Sequence, residues 1–380
     1  MKVNTQELRS MNLMKVYRYV YEQKQATKTA IAYALQLSLP TVTQDLNELL
    51  ETKKIIYAEK SAPTGGRPAT VYQFNSCFRI SIGVEVLANK VRLASIDLYG
   101  QITKEDSLDI VFVNDPSYYE IFGKWVNHFI DSLPYSKDAI LGIIISIQGI
   151  VAKDHEHILY GKLLNSTDFT RTDFARHFCY PVSLIHDAEA AAIAEVWHMK
   201  QVSSAIYLSL NPHMGSAFII NNSVVHTKEL SSGTVEHMIL YHGKEECYCG
   251  KSGCADVYCS ANSLMRMAGK NLPDFFQQLE NGDETCQKIW RQYLSNLALL
   301  IDNIRMVINC DVIIGGLLEK YISDSSLDDL AKIIASISTF GSVTPIIIRG
   351  HYGNKATMIG SALTAIKEYL SCEKLDGSAF

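Results

Sequence analysis

The sequence predicts an α/β protein in which a small winged helix-turn-helix precedes two α/β lobes. The first observation is a run of three helical patterns and two short strands within residues 1–76. The second is a cluster of strands followed by alternating helices and strands, which occurs twice after residue 77. Each such succession is typical of one layered α/β unit. We therefore expect domains at residues 1–76, 77–190 and 191–380.

Three helices are predicted in the first fifty residues. Apolar residues recur at helical spacing over residues 7–22. Thr27 can cap a second short helix, and Ser38 can cap a third, whose first turn tolerates Pro40. The third helix carries short polar side chains that suit base edges and phosphates. The candidate DNA contacts at this helix are Ser38, Pro40, Thr41, Thr43, Gln44 and Asn47.

Two strands at residues 55–58 and 70–74 are predicted to form the wing, with Gly66-Arg67-Pro68 near its tip. An extended Gly-Arg-Pro can enter a narrow minor groove, where the potential favours arginine. Residues 1–74 also carry ten basic and six acidic side chains. Together these features predict DNA binding. The alternative is a plain hairpin turn within a helical interaction module.

The body of the chain alternates apolar strand patterns with helical patterns. The predicted elements are strands at 80–86, 90–97 and 107–113, a helix at 117–133, a strand at 141–147, a helix at 169–178, a strand at 181–185, a helix at 188–197, strands at 204–210 and 217–220, mainly helices after 260, strands at 312–314 and 344–348, and a helix at 356–369. In such arrangements ligands bind between the lobes, near the carboxyl ends of strands.

His186 and Asp187 lie where a predicted strand ends and a helix begins. At this position Asp187 could accept a proton from a substrate hydroxyl. The alternative is a helix cap, for which aspartate is favoured, and position alone favours the cap.

A metal motif is predicted within residues 231–260. Cys247, Cys249 and Cys254 follow the spacing Cys-x-Cys-x4-Cys, and His237 lies upstream. One imidazole and three thiolates satisfy tetrahedral zinc in a closed, structural site. Reduced, buried cysteines are the alternative, and Cys259 is a rival ligand. Zinc bound here would also fix the carboxylates that flank the motif, which are those of Glu236 and Asp256.

Composition limits the class of protein. The chain has 380 residues, 47% of them hydrophobic, which suits two or three globular domains. Its longest apolar run, residues 139–151, is too short to span a bilayer, and the first residues are polar. Nine cysteines without these secretory features favour metal binding and buried thiols. We expect a soluble, cytoplasmic protein with no membrane partner.

These motifs resemble those of the ROK family (repressors, uncharacterised reading frames and sugar kinases) across almost the whole chain. The residues that carry the resemblance are His237 with Cys247, Cys249, Gly250, Gly253 and Cys254, the Gly65-Gly66-Arg67-Pro68 turn, and Asp187 followed by an alanine-rich helix ending at Glu195. The resemblance implies a two-lobed, actin-like (ribonuclease H-like) sugar-kinase fold. It also implies that the last helix, at about 356–370, returns to the first lobe.

The resemblance further implies a sugar site. Asp187 matches the catalytic base of the family's kinases, although His186 replaces the usual asparagine before it. The other candidate sugar contacts implied by the resemblance are Asn165, Glu236, His237 and Asp256. Asp256 stands where the family usually has glutamate, and Glu236 and His237 match a Glu-x-x-His region only loosely.

The nucleotide loops depart from the family pattern. Family kinases open with Asp-x-Gly-Gly-Thr, whereas this chain has Ser81-Ile82-Gly83-Val84-Glu85. The second phosphate loop reads Asn211-Pro212-His213-Met214-Gly215, in which proline removes an N–H donor. Because phosphoryl transfer relies on positioning and charge neutralisation, these changes predict a vestigial base at Asp187 and no efficient use of ATP.

The resemblance therefore favours the transcriptional-regulator branch. We expect a non-enzymatic repressor of carbohydrate-metabolism genes that binds operator DNA and a sugar or sugar derivative, holds one structural Zn²⁺ per chain, and forms a homodimer or homotetramer. An active ATP-dependent sugar kinase with an accessory DNA-binding head is the main alternative. A scaffold with a vestigial ligand site and regulation by a protein partner are further alternatives.

Overall fold

A computed structural model describes residues 5–58, 70–152, 154–164, 169–200, 202–225, 233–342 and 345–375. The helices are α1 (Thr5–Gln23), α2 (Lys28–Leu35), α3 (Leu39–Glu51), α4 (Pro116–Asp131), α5 (Arg171–Ala175), α6 (Asp187–Met199), α7 (Asp256–Cys259), α8 (Ala261–Ala268), α9 (Leu272–Glu280), α10 (Glu284–Val307), α11 (Asp324–Ile337) and α12 (Ala356–Cys372). The strands are β1 (Gln25–Thr27), β2 (Ile55–Tyr57), β3 (Val71–Phe74), β4 (Ile80–Val86), β5 (Val91–Asp97), β6 (Ile102–Leu108), β7 (Ile140–Ile147), β8 (Ile150–Val151), β9 (Ile158–Tyr160), β10 (Val182–His186), β11 (Ser204–Leu210), β12 (Met214–Ile220), β13 (Ser223–Val224), β14 (Asp311–Gly315) and β15 (Ile347–Arg349).

The head, α1 to β3, has three helices and a sheet of order β1-β3-β2. Both predicted caps are present, because Thr27 accepts a hydrogen bond from the Ala30 N–H and Ser38 accepts one from the Thr41 N–H. Strand β1 was missed by sequence analysis, since its three residues are too short to show alternation. The head therefore has a third strand, which pairs with β3.

The first large sheet has the order β10-β7-β4-β5-β6. Strands β4, β7 and β10 are parallel neighbours, while β4, β5 and β6 form an antiparallel meander. The prediction of a strand at 107–113 was wrong, because β6 lies at Ile102–Leu108. This edge strand carries Lys104, Glu105 and Asp106 on exposed positions, so it lacks the apolar pattern on which the prediction relied.

The second large sheet has the order β13-β12-β11-β14-β15. Strand β12 begins at Met214, three residues before the predicted start, and pairs with β11 from Leu210↔Met214 onward. The connection between β11 and β12 is therefore only Asn211 to His213. The candidate metal segment and helices α7 to α10 lie between β13 and β14.

Helix α12 packs against α6 and against β4, β5 and β7 of the first sheet. The backbones of α6 and α12 are in direct contact, because a Cβ on Gly360 would lie 1.6 Å from the Ala190 carbonyl oxygen. A Cβ on Gly83 of β4 would likewise lie 2.0 Å from the Met358 carbonyl oxygen. At the other end of α6, the buried Glu195 carboxylate accepts hydrogen bonds from the His351 and Tyr352 N–H groups at 2.8 and 3.1 Å.

The head is packed onto the body. The Tyr99 hydroxyl donates to the Tyr21 carbonyl at 2.8 Å, and Lys54 forms an ion pair with Glu373 at 2.5 Å. One hydrophobic cluster includes Val16 and Phe74 of the head together with Leu370 of α12. In the part of the chain described above, none of the helices combines the length and apolar character needed to cross a membrane.

We expect Gly360→Ala to destabilise the protein by about 1–3 kcal/mol, because the added methyl forces α6 and α12 apart. Urea unfolding monitored by circular dichroism measures this change. The matched control is Glu368→Ala, at an exposed position of the same helix, which should stay within about 0.5 kcal/mol of the unmodified protein. Equal stability of the two variants would contradict the close packing of these helices.

Candidate metal centre and interlobe cleft

The structure brings the four predicted metal ligands together. Ligand atoms of His237, Cys247, Cys249 and Cys254 all lie within 4.8 Å of one another. His237 Nδ1 lies 3.8 Å from the Cys247 sulfur, and the Cys249 and Cys254 sulfurs are 3.7 Å apart. These three sulfurs and one nitrogen are the donor set that fits a closed tetrahedral zinc site.

The loop that holds the thiols depends on two glycines. Gly250 and Gly253 have φ of +93° and +85°, a backbone conformation in which a residue with a side chain is strained. A Cβ on Gly253 would also lie 1.7 Å from the Tyr241 carbonyl oxygen. The rival ligand Cys259 is fully buried and lies outside the cluster. The loop thus presents three thiols, and Cys259 has a packing role.

The structure places Asp187 in the first turn of α6, where the N-cap residue is His186, so the expected cap at Asp187 is wrong. The Asp187 side chain accepts a hydrogen bond from the Ala188 N–H at 2.8 Å. It also lines the cleft between the two large sheets, beside His186, whose Nε2 is 3.3 Å from its carboxylate. Burial raises the pKa of Asp187, partly opposed by His186. A carboxylate in this position can accept a hydrogen bond from a hydroxyl group of a ligand.

Glu236 lines the same cleft and is buried. The Ser216 hydroxyl donates to it at 2.9 Å. Burial raises the pKa of Glu236 to about 8. Glu236 and Asp187 therefore provide two carboxyl groups that face one small cavity.

Among the other candidate sugar contacts, His237 lines the cleft and Asp256 does not. Nδ1 of His237 faces the thiols, and only its Nε2 edge reaches the cleft, 3.3 Å from the Tyr248 hydroxyl. Asp256 is absent from the cleft lining. Its Oδ1 accepts a hydrogen bond from the Met214 N–H at 2.7 Å, and its Oδ2 lies 3.1 Å from His213 Nδ1. Asp256 thus anchors the turn between β11 and β12, and Asn165 lies outside the described residues.

Tyr248 is the residue that sequence analysis missed. It lies between Cys247 and Cys249 in the sequence. Its ring lines the cleft and packs against the rings of His213 and His237. The free space enclosed there is only about 30 Å³, whereas small-molecule sites commonly measure about 300–1,000 Å³. Tyr248 therefore has to move, or the lobes have to separate, before a sugar can enter. The sequence feature that could have identified Tyr248 is its position between the two cysteines of the Cys-x-Cys motif.

Protein groups fill the positions of the two phosphate loops. Glu85 is buried on β4 and accepts a hydrogen bond from Arg92 Nε at 2.8 Å. Burial raises the pKa of Glu85 despite this pairing. In the other lobe, the Asn211 side-chain oxygen accepts from the Leu317 N–H at 2.9 Å, directly after Gly316. The side chain of Asn211, the first residue of the second loop, is thus already paired within the protein.

The candidate DNA contacts fall into two groups. Ser38, Thr41 and Thr43 use their hydroxyls within α3, where Ser38 bonds Thr41 at 2.8 Å and Thr43 donates to the Leu39 carbonyl at 2.7 Å. Pro40, Gln44 and Asn47 are exposed. The wing-tip residues Gly66, Arg67 and Pro68 lie outside the described residues.

We expect one zinc ion per chain in the purified protein and a large loss of zinc in Cys249→Ser, because the variant lacks one of four ligands. Metal analysis after gel filtration measures this ratio. Cys372→Ser, at an exposed thiol, is the matched control and should keep its zinc. Cys259→Ala should keep it too. Full zinc content in Cys249→Ser would exclude the four-ligand site.

Curated relatives match nearly the whole chain. A xylose repressor from Caldicellulosiruptor bescii is 21% identical, covering 96% of this chain and 97% of its own length. The DNA-binding transcriptional repressor Mlc of Escherichia coli is 20% identical, covering 75% of this chain and 73% of its own.

Solved structures share the fold. A ROK family transcriptional regulator, described as a homologue of Escherichia coli Mlc, aligns with a TM-score of 0.72 and 17% identity, covering 96% of this chain and 98% of its own. A ROK family glucokinase from Streptomyces griseus, solved with glucose and AMPPNP, aligns with a TM-score of 0.67 and 18% identity, covering 76% of this chain and 99% of its own. The ROK family model itself matches residues 81–369, so this chain belongs to the ROK family.

Proposed function

We propose that this protein is a DNA-binding repressor of sugar-metabolism genes whose two-lobed body binds a sugar effector without phosphorylating it. The observation that carries the proposal is the head, in which α3 exposes Gln44 and Asn47 on a capped helix of a winged helix-turn-helix. Repressor relatives extend over this head, whereas the glucokinase covers 76% of the chain and the family model begins at residue 81.

The body supports effector binding over catalysis. An ATP phosphate would meet the Glu85 carboxylate on one side and the proline-containing turn of β11–β12 on the other. Both changes weaken the positioning and charge neutralisation on which phosphoryl transfer depends. An active sugar kinase remains the second candidate function, and it is favoured by one observation, the position of Asp187 in the cleft.

The effector is a sugar bound through Asp187, His186 and Glu236, and xylose is the first to test because of the named relative. Zinc holds the loop that places Tyr248 over this cleft, so effector entry and loop position are linked. A sugar can change DNA binding only if it prefers one arrangement of the lobes. We further propose a cytoplasmic homodimer or homotetramer with two heads on one operator.

Gln44→Ala and Asn47→Ala should each weaken binding to the specific site about 5- to 100-fold, since a bidentate base contact contributes about 1–3 kcal/mol. Footprinting on fragments of the host genome finds the sites, and fluorescence anisotropy at fixed salt measures affinity. Gln23→Ala, exposed at the end of α1, is the control with unchanged affinity. Binding that stays diffuse and salt-sensitive in the unmodified protein would refute specific recognition.

Asp187→Asn should lower sugar affinity about tenfold or more while leaving DNA affinity intact. Asparagine can still accept from the Ala188 N–H, but it removes a charged acceptor, whose hydrogen bond contributes about 1.5–3 kcal/mol. Calorimetric titration with xylose and related sugars measures the loss. A coupled assay should find no sugar-dependent ADP in either protein. ADP formation that Asp187→Asn abolishes would instead establish the kinase.

A further inference from the structure

A second cavity, of about 780 Å³, lies where the head meets the body. Helix α1 forms one wall, and the turn between β5 and β6 forms the next. The carboxyl ends of α6 and α12, together with Asn222 after β12 and Tyr352 after β15, complete the lining. Its volume falls within the range of small-molecule sites, about 300–1,000 Å³. It shares no lining residue with the interlobe cleft. We call it the head–body cavity.

Aromatic rings held in fixed positions line this cavity. Tyr21 of the head stacks on Tyr99 of the body, with ring centroids 5.3 Å apart. The Tyr99 hydroxyl donates to the Tyr21 carbonyl, and the Trp197 indole donates to the Tyr99 carbonyl at 3.1 Å. The rings are therefore held in place before any ligand binds, and they offer flat apolar surfaces to it.

The cavity also carries an excess of positive charge. Lys24, Lys200 and Lys367 line it. Among the described residues of the lining, Glu22 is the one acidic side chain, and it is paired with Arg18 at 2.7 Å. The side chain of Lys367 on α12 is half-buried, and its ammonium group has no hydrogen-bond or ion-pair partner within the described ranges. Burial lowers its pKa, the direction expected for a cation without a counter-ion. An anion placed here would offset the cost of burying that charge.

We propose that the head–body cavity binds a small organic anion that carries an aromatic ring, with Lys367 facing the anionic group and Tyr99 and Trp197 facing the ring. The site is separate from the sugar cleft. Because α1 and α12 both line it, a bound ligand holds the head against the body. This last step rests on the proposed function as a DNA-binding regulator, whereas the binding site itself does not.

The test uses the full chain and the fluorescent anion 8-anilinonaphthalene-1-sulfonate, which combines a sulfonate with aromatic rings. Excitation of tryptophan should give energy transfer to the probe at one saturable site, and xylose should not displace it. Trp197→Phe should lose most of the energy transfer, because it removes the indole that faces the probe's ring. Lys367→Met should weaken binding about tenfold or more, since it removes a charge-assisted contact but keeps an apolar stem.

Lys332→Met on α11 is the matched control, because Lys332 is an exposed lysine far from the cavity lining. Thermal melting checks that each variant is folded, and Lys200→Met provides a second test of the cationic wall. Equal probe affinity in Lys367→Met, Lys200→Met and Lys332→Met would overturn the proposal, as would the absence of saturable binding.

Operator affinity separates this proposal from the proposed function. In the unmodified protein the probe should change affinity for a footprinted DNA fragment by a measurable factor, and in Lys367→Met it should not. Saturable, Lys367-dependent probe binding in a protein that recognises no specific DNA would support the cavity and refute the repressor. Probe binding with unchanged DNA affinity would refute the link between the cavity and the head.

Discussion

The backbone contact between α6 and α12 is the constraint on which the rest of the molecule depends. Gly360 allows α12 to approach the Ala190 carbonyl, and the same helix covers Gly83 of the first sheet. Helix α6 is thereby fixed at both ends. Its amino end presents Asp187 to the interlobe cleft, and its carboxyl end holds the loop after β15 through Glu195. Two lobes and one cleft are therefore positioned by one helix pair.

The same framework can serve a binding protein or an enzyme, and local chemistry decides between them. Here the decisive side chains are those that occupy phosphate positions. Glu85 brings a buried carboxylate to the first loop, and the Asn211 side chain of the second loop accepts a hydrogen bond from the Leu317 N–H. Asp256 closes the β11–β12 turn from behind. The buried carboxylates of Glu85 and Asp256 are compatible with a neutral sugar, and they support the proposal that the body does not use ATP.

Much of this architecture could be predicted from local sequence. The caps at Thr27 and Ser38 and the cluster of candidate metal ligands depend on neighbouring residues, and the structure places them as expected. Features set by distant contacts could not be predicted. The charged edge strand β6 is held by pairing with β5, and Asp256 is directed by a turn 42 residues away. The head–body cavity exists only because segments that are distant along the chain meet there.

The apolar core of the head is continuous with that of the body, from Val16 in α1 to Leu370 in α12. The rings of Tyr21, Phe74 and Tyr99 lie across the boundary. Head and body are consequently not interchangeable modules. A recombination event that exchanged the head alone would leave an apolar face of α12 against a surface shaped for another partner. The two parts are expected to diverge together, so a change of operator preference in this lineage would arise by substitution on α3 and not by replacement of the whole head.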